Sequence, residues 1–372
     1  MLKRNYLTAE HGLVCHLPDD PFGYFAWPTV ARLDNGKLLV ASSGLRKQHN
    51  CPWGKTVLNT SSDDGLTWSA PEAIHDSVLD DRDAGVVSLG GDDVIVTWAS
   101  VDLRFDLVGN DIQIYEAEFG VDAVATWMAF IAEYDDAETK PAEGSWLLPS
   151  ADGGASWGTK VKVPVYAPHG PIKLRDGDLL YLGKRYVVNR AELDGGPVLS
   201  ARSSDNGRTW REQGHVPTFP NMEAGRYTEP HVVELPSGKL LGLVRVDGEL
   251  GKAGVLSFSM LQTESVDGGE TWGMPVPLNF HGAPPHLLRH SSGALILVYG
   301  YRLVGFGQRV AFSYDEGVTW EADWIVRDDG FDWDLGYPST VELADGSLFS
   351  VYYQKVQGNH KASLLWSRWQ LP

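Results

Sequence analysis

Cysteine is nearly absent from this chain: two residues, Cys15 and Cys51, in 372. Two thiols are too few for a disulfide framework, so the composition points to a reducing compartment. Long apolar runs are missing as well, and without one of about 18 residues no transmembrane helix is expected. Met1–Glu10 carries Lys3 and Arg4 but lacks the apolar segment of a secretory signal. Together these absences set a cytoplasmic location as the expectation. Positive charge is scarce too: 31 Lys and Arg against 49 Asp and Glu give a formal net charge of −18. That balance argues against nucleic acid or an anionic membrane surface as partner. An anionic small molecule is admissible only where a local group of arginines overrides the general field.

What the chain does have is repetition. The pattern Ser-x-Asp-x-Gly-x-Thr/Ser-Trp occurs five times, at Ser61–Trp68, Ser150–Trp157, Ser203–Trp210, Ser265–Trp272 and Ser313–Trp320. Asp and Ser bond local backbone, Gly tolerates positive φ, and Trp covers the turn. Recurrence at about 50 residues signals a solenoid, propeller or array. Ahead of these turns runs a second repeat, an inner strand ending in a Gly-containing turn. Its six copies are Trp27–Gly36, Asp83–Asp92, Pro168–Gly177, Glu229–Gly238, Pro284–Gly293 and Tyr337–Gly346. Each leads into a short apolar strand, which reads as a hairpin. Six inner strands predict an all-β, six-bladed β-propeller, one domain over residues 1–372. Its ring closes when the N-terminal strand within Leu7–Leu17 pairs with the last blade, removing exposed sheet edges. The segment 103–143 reads as an insertion in blade two, with helical composition over Val121–Asp135.

In a propeller the inner strands start around one end of the central channel. The first positions of the six copies and their neighbours therefore converge: Trp27, Asp83, Pro168, Glu229, Pro284 and Tyr337, with His169, His231 and His286 close behind. Convergent polar groups of this kind form the default binding-site hypothesis.

These features resemble the sialidase (neuraminidase) superfamily of glycoside hydrolases, six-bladed propellers carrying Asp-box turns. The resemblance spans essentially the whole chain. Thr228-Glu229-Pro230-His231, followed by Leu243-Val244-Arg245, looks like that family's Glu and second Arg. Gly336-Tyr337-Pro338-Ser339 matches its nucleophilic Tyr, and Gln308-Arg309-Val310-Ala311 its third Arg. The resemblance implies Tyr337 as nucleophile, Glu229 as its base, and Arg245 with Arg309 as a carboxylate clamp. A neutral Tyr suits a substrate whose own carboxylate would repel a carboxylate nucleophile. Arginines bind that carboxylate through paired hydrogen bonds.

Two positions depart from the pattern. The family's first Arg falls where Phe25-Ala26-Trp27-Pro28 stands, and Ala26 binds no carboxylate. Its acid/base Asp falls in Gly44–Gly54, which contains no carboxylate and offers Arg46, Lys47, His49, Asn50 and Cys51. His49 or Asp83 then becomes the candidate acid/base, and Arg46 or Arg82 the candidate source of the missing charge. Trp27, Trp53 and Trp333 are candidate sugar platforms. His169, His231 and His286 lack the short fixed spacings of zinc sites and read as pocket-lining substrate contacts. No metal or cofactor is expected. The expected partner is an acidic sugar or oligosaccharide, and the expected activity a sialidase-like exo-glycosidase. Its rivals are a non-catalytic carbohydrate-binding propeller, and a His/Tyr-dependent hydrolase or lyase acting on uronate-containing glycans. Oligomeric state is not encoded in any feature of the sequence.

Overall fold

Each of the five repeated segments folds as a turn closed by its own side chains. In the first, Ser61 Oγ donates to Asp63 Oδ1 at 2.8 Å and Thr67 N donates to the same oxygen at 2.9 Å. Thr67 Oγ1 donates to Asp63 Oδ2 at 2.6 Å, and Trp68 Nε1 reaches back to the Gly65 carbonyl at 2.9 Å. Gly65 has φ 85°, which its lack of a side chain permits. The turn hairpins the third strand of a blade onto the fourth, in blade one Lys55–Ser61 onto Glu72–His75.

A computed structural model describes residues 5–105, 111–186, 196–246 and 255–372. Six antiparallel sheets succeed one another along the chain. Blade one is Tyr24–Arg32, Leu38–Arg46, Lys55–Ser61 and Glu72–His75; blade two is Asp80–Gly90, Asp93–Val101, Gly144–Ser150 and Val161–Val163. Blade four begins with Tyr227–Glu234 and Leu240–Val246, blade five with Pro285–Arg289 and Leu295–Tyr301, and blade six with Gly336–Glu342 and Leu348–Lys355. The ring closes as expected: Ala9–Cys15 pairs antiparallel with Ala362–Trp369 as the fourth strand of blade six. Asn5–Tyr6 adds a short parallel strand to blade five, a contact the sequence pattern does not signal.

The inner strand of blade three departs from expectation. Only Ile172–Lys173 pairs with Leu179–Arg185 where Pro168–Gly177 predicts a longer strand, and Val165–Tyr166 pairs further along the same neighbour. Pro168 and Pro171 have no N–H to donate, and Gly170 sits at φ 71°, so the ladder breaks there.

Apolar residues do not gather into one core. They form six clusters, each between adjacent blades, such as Val30 and Val40 of blade one with Phe349 and Val351 of blade six, or Leu241 and Leu243 of blade four with Leu287 and Leu297 of blade five. This is how a chain of this length avoids the size ceiling on a single core.

The insertion lies between Asp93–Val101 and Gly144–Ser150 and carries three helices, Asp111–Phe119, Val121–Ile131 and Asp136–Ala142. Its residues 106–110 lie outside the described residues. The third helix is capped by Asp135, whose carboxylate accepts from the backbone of Ala137 and Glu138. Val124, Trp127 and Ile131 bury a small core of their own, against which Trp53 from blade one packs. Trp53, considered above as a sugar platform, lies instead between Phe22, Phe130 and the Lys47 ammonium.

Candidate active site

Four inner strands carry, within their first four residues, a non-glycine residue in the left-handed region: Trp27 (φ 52°), Asp83 (60°), Glu229 (46°) and Tyr337 (52°). Each coincides with a slip in pairing to the second strand of its blade. Such a bulge re-aims the side chain, and holding an ordinary residue there costs roughly 1–2 kcal/mol. Strain repeated at four equivalent positions around one channel mouth makes this the candidate site. Blades three and five carry Pro168 and Pro284 at the matching positions.

Three of the expected residues meet. The Tyr337 hydroxyl donates to Glu229 Oε1, and Arg245 Nη1 donates to Glu229 Oε2. The same Arg245 nitrogen lies 3.0 Å from the Tyr337 oxygen. Burial pushes the Tyr337 phenol well above its ordinary range; Glu229 and Asp83 add to the rise, while Arg245 and Arg302 oppose it.

Arg302 is the residue that sequence reasoning missed. Its guanidinium carbon stands 5.9 Å from the Tyr337 ring centre, 4.6 Å from Phe258 and 5.8 Å from Trp333. Nε and Nη2 donate to the Leu335 carbonyl at 3.1 and 3.0 Å. A signal existed. Arg302 lies just beyond the second strand of blade five, as Arg245 lies near the end of the second strand of blade four.

Arg309, expected in this role, is placed elsewhere. It sits on the third strand opposite Tyr299, whose ring packs toward blade four. Its guanidinium donates to the carbonyls of Gly305 (2.9 Å) and Arg327 (3.3 Å) and lies over Tyr301. Arg46 is also corrected. It is 0 % exposed and bidentate to the equally buried Asp80, with Nη2 to Oδ2 at 2.9 Å. Its other donors go to Ser43 Oγ and to the carbonyls of Gln48, His49 and Asp81, leaving nothing for a ligand. Arg82 is freer: one nitrogen donates to Asn50 Oδ1 at 3.2 Å, and Nε is 3.8 Å from Asp80.

Trp27 is not an open platform. It is 2 % exposed, with the Arg46 and Arg82 guanidinium groups over its ring at 4.9 and 4.5 Å. Trp333, by contrast, is 45 % exposed at the rim.

His49 meets a partner that sequence reasoning did not name. Its Nδ1 lies 2.9 Å from Asp334 Oδ1 and 3.2 Å from the Tyr24 hydroxyl, which itself donates to both Asp334 oxygens at 2.9 and 3.1 Å. Nε2 has no hydrogen-bond partner among the described residues. Burial lowers the His49 pKa, Asp334 lifts it, and Arg82 and Arg302 add to the fall. Burial works against ionisation of Asp334, yet the His49 hydrogen bond and charge, with Lys355 and Tyr24, hold that carboxyl at about 2. Asp83, the other candidate acid, is pushed up to about 6 by burial, with Glu229 and Asp80 adding and Arg82 and Arg46 opposing.

His169, His231 and His286 face one another inside the channel, with ring centres 4.5–5.7 Å apart. His231 and His286 lie two residues further along their strands than Glu229 and Pro284, about 7 Å deeper than the mouth, and His169 joins them from the turn after Pro168. His169 Nδ1 is 3.1 Å from Thr29 Oγ1, and His231 Nδ1 accepts from Leu287 N at 3.0 Å. All three are buried, which corrects their expected role as substrate contacts. Burial lowers each pKa, that of His231 to about 3. Among the described residues no group of His, Cys, Asp and Glu is arranged to hold a metal ion.

The BNR repeat-like domain profile matches residues 123–350. No curated protein sequence matches the chain. Among solved structures, a protein of unknown function from Dyadobacter fermentans is similar at 22 % identity, with a TM-score of 0.76 over 98 % of both chains. A Hadza microbial sialidase is similar at 16 % identity and a TM-score of 0.65, over 97 % of this chain and 68 % of that one. The intramolecular trans-sialidase of Ruminococcus gnavus is similar at 16 % identity and a TM-score of 0.64, over 95 % of both. At these identities the likeness establishes the fold: a sialidase-like propeller of six blades.

Proposed function

The chain belongs to the BNR repeat-like domain family, and from that premise we propose that it is an exo-glycosidase of sialidase type acting on a terminal acidic sugar. The observation that carries this reading is the mutual contact of Tyr337, Glu229 and Arg245, brought together from blades four and six at the channel mouth. A buried phenol is a poor nucleophile, and a carboxylate in hydrogen-bond contact is the base it needs. As the Tyr337 oxygen attacks the anomeric carbon, its proton passes to Glu229. The glycosidic bond breaks, and the departing oxygen takes a proton from an acid on the opposite side. Water then attacks the anomeric carbon, a general base takes its proton, and Tyr337 recovers its own from Glu229. Two inversions give net retention.

The substrate's negative charge is matched by three guanidinium groups around the phenol. Arg245 lies against Tyr337, Arg302 beside its ring, and Arg82 close enough for its charge to act on Asp83 and Tyr337. Arg82, from blade two, takes the place vacated at Ala26. This local cationic group answers the demand set by a chain of net charge −18.

The test is turnover of an aryl sialoside and a panel of other acidic aryl glycosides by wild type, Tyr337→Phe and Glu229→Gln. Hydrolysis reduced in both variants by at least about 10²-fold is expected. Binding without turnover by wild type would replace the reading with a carbohydrate-binding propeller. Release of an unsaturated, ultraviolet-absorbing product would replace it with a lyase.

A further inference from the structure

The segment Trp333-Asp334-Leu335, immediately before Gly336 and Tyr337, touches three parts of the site at once. The Leu335 carbonyl holds Arg302, the Asp334 carboxylate holds His49 Nδ1, and the Trp333 ring lies 5.6 Å from the His49 ring at a 58° tilt. The chain bends tightly here, with Leu335 N donating to the Trp333 carbonyl and Asp334 N to Asp332 Oδ1, both at 2.9 Å, so neighbouring side chains reach different surroundings. Asp334 is buried, and Trp333 is the half-exposed aromatic beside the mouth. Phe331 in the same segment, and Leu303 and Val304 next to Arg302 in sequence, are exposed as well.

We propose that His49, Asp334 and Trp333 form the leaving-group subsite of this pocket, with His49 as acid/base, Asp334 as its positioning residue, and Trp333 as the platform for a neutral pyranose aglycone. This assignment rests on the glycosidase reading above. Asp334 accepts the proton-bearing Nδ1, so the nitrogen left for the substrate is Nε2. In the first step imidazolium Nε2–H passes its proton to the glycosidic oxygen as the bond to the anomeric carbon breaks and the bond from Tyr337 forms. In the second, neutral Nε2 takes a proton from the attacking water, regenerating imidazolium. The hydroxylated leaving group is released where the acid stands. The exposed flat surface there is Trp333, and the face of a pyranose carries apolar C–H groups that pack on an indole.

Asp83 is the competing acid, and substitutions distinguish the two. Rates are measured for α-sialosyl fluoride, 4-nitrophenyl α-sialoside and sialyllactose with wild type, His49→Ala, Asp334→Asn, Trp333→Ala and Asp83→Asn. For His49→Ala the expected loss in kcat/KM, which reports the step that expels the leaving group, is about 10²–10³-fold on sialyllactose, under about tenfold on the nitrophenyl substrate and smaller still on the fluoride. Meanwhile kcat falls on all three, because the second step has lost its base. Asp334→Asn shows the same ranking with a smaller loss and shifts the alkaline limb of the pH profile downward, because the carboxylate that lifts the His49 pKa is gone. Tyr24→Phe, which removes only one hydroxyl donor to Asp334, is the milder probe should Asp334→Asn fold poorly. Trp333→Ala raises KM for sialyllactose by about tenfold and costs less on the fluoride, which has no aglycone to stack. Independently of turnover, saturation-transfer NMR with lactose gives signals in wild type and in Tyr337→Phe that Trp333→Ala loses. Equal losses of kcat/KM on all three substrates in His49→Ala would overturn the proposal. So would the leaving-group ranking appearing in Asp83→Asn instead, or lactose signals indifferent to Trp333. Wild type inactive on all three substrates would count against the glycosidase reading, while the lactose experiment still decides the platform.

Discussion

Arg46→Met is the sharpest test of what the buried arginine does. Arg46 and Asp80 are both 0 % exposed, and their ion pair is closed by contacts to Ser43 and to the backbone carbonyls of Gln48, His49 and Asp81. Removing the guanidinium breaks the buried pair and leaves the Asp80 carboxylate with only Arg82 Nε, 3.8 Å away, as counter-charge, a change that destabilises by about 3 kcal/mol. Replacing both partners, as in Arg46→Met with Asp80→Leu, removes the orphaned charge, so at least half of that loss is expected to return. Urea unfolding followed by tryptophan fluorescence measures both variants, with KM read on whichever aryl glycoside the wild type cleaves. A single variant destabilised by less than about 1 kcal/mol, or a double variant no better than the single, would refute the structural account. A raised KM at unchanged stability would return Arg46 to the role of substrate clamp.

Three further outcomes follow from the same geometry. Arg302→Leu raises KM for an anionic glycoside by roughly tenfold or more, whereas Arg309→Leu changes KM by less than about threefold and acts on stability; the reverse order would restore Arg309 to the site. Activity peaks on the acid side of neutrality: His49 must be protonated for the first step and its pKa lies below the ordinary 6.5, so kcat/KM falls as pH rises through that value, and an alkaline optimum would exclude His49 as the acid. Stability declines on acidification in two stages. The buried channel histidines resist protonation when folded but accept protons near pH 6.5 when unfolded, so stability falls as pH drops below about 6.5. The Asp-box carboxylates Asp63, Asp152 and Asp267, held at about 2 chiefly by their Thr or Ser hydroxyl partners, lose their contribution between about pH 4 and 2. Urea midpoints at pH 7, 5 and 3 check this, and His286→Gln is expected to flatten the first stage.

The architecture was legible because its determinants are local. The Ser and Asp bonds that close each Asp-box turn fall within eight residues, so Ser61, Asp63, Gly65 and Thr67 declare the turn wherever they recur, while the Trp indole bonds locally in some copies and to a neighbouring blade in others. The pairing of Tyr337 with Glu229 spans 108 residues, yet equivalent positions on repeated blades made it accessible. Asp334 offered no such handle: its partner His49 is 285 residues away, on a loop outside the repeat. Arg309 and Arg302 differ in which strand, and which face of blade five, they occupy; residue type and spacing near a motif do not reveal that. Arg46 had the right chemistry for a clamp, and only the fold shows that Asp80 already neutralises it. In blade three, Pro168 and Pro171 carried the warning, but the surrounding strand pattern outweighed them.

The clasp of the ring has a consequence for how this domain must assemble. Among the described residues Ala9–Cys15 pairs with Ala362–Trp369, so this strand, made ahead of every blade, waits for its partner until nearly all of the remaining propeller exists. Closure then resembles fastening a belt: slow because the two ends must find each other across the whole polypeptide, and decisive because the last blade keeps a naked edge until it happens. Deleting Ala9–Cys15 would leave the side chains of the candidate site untouched in sequence, yet would convert a sealed annulus into an open one prone to edge-to-edge association.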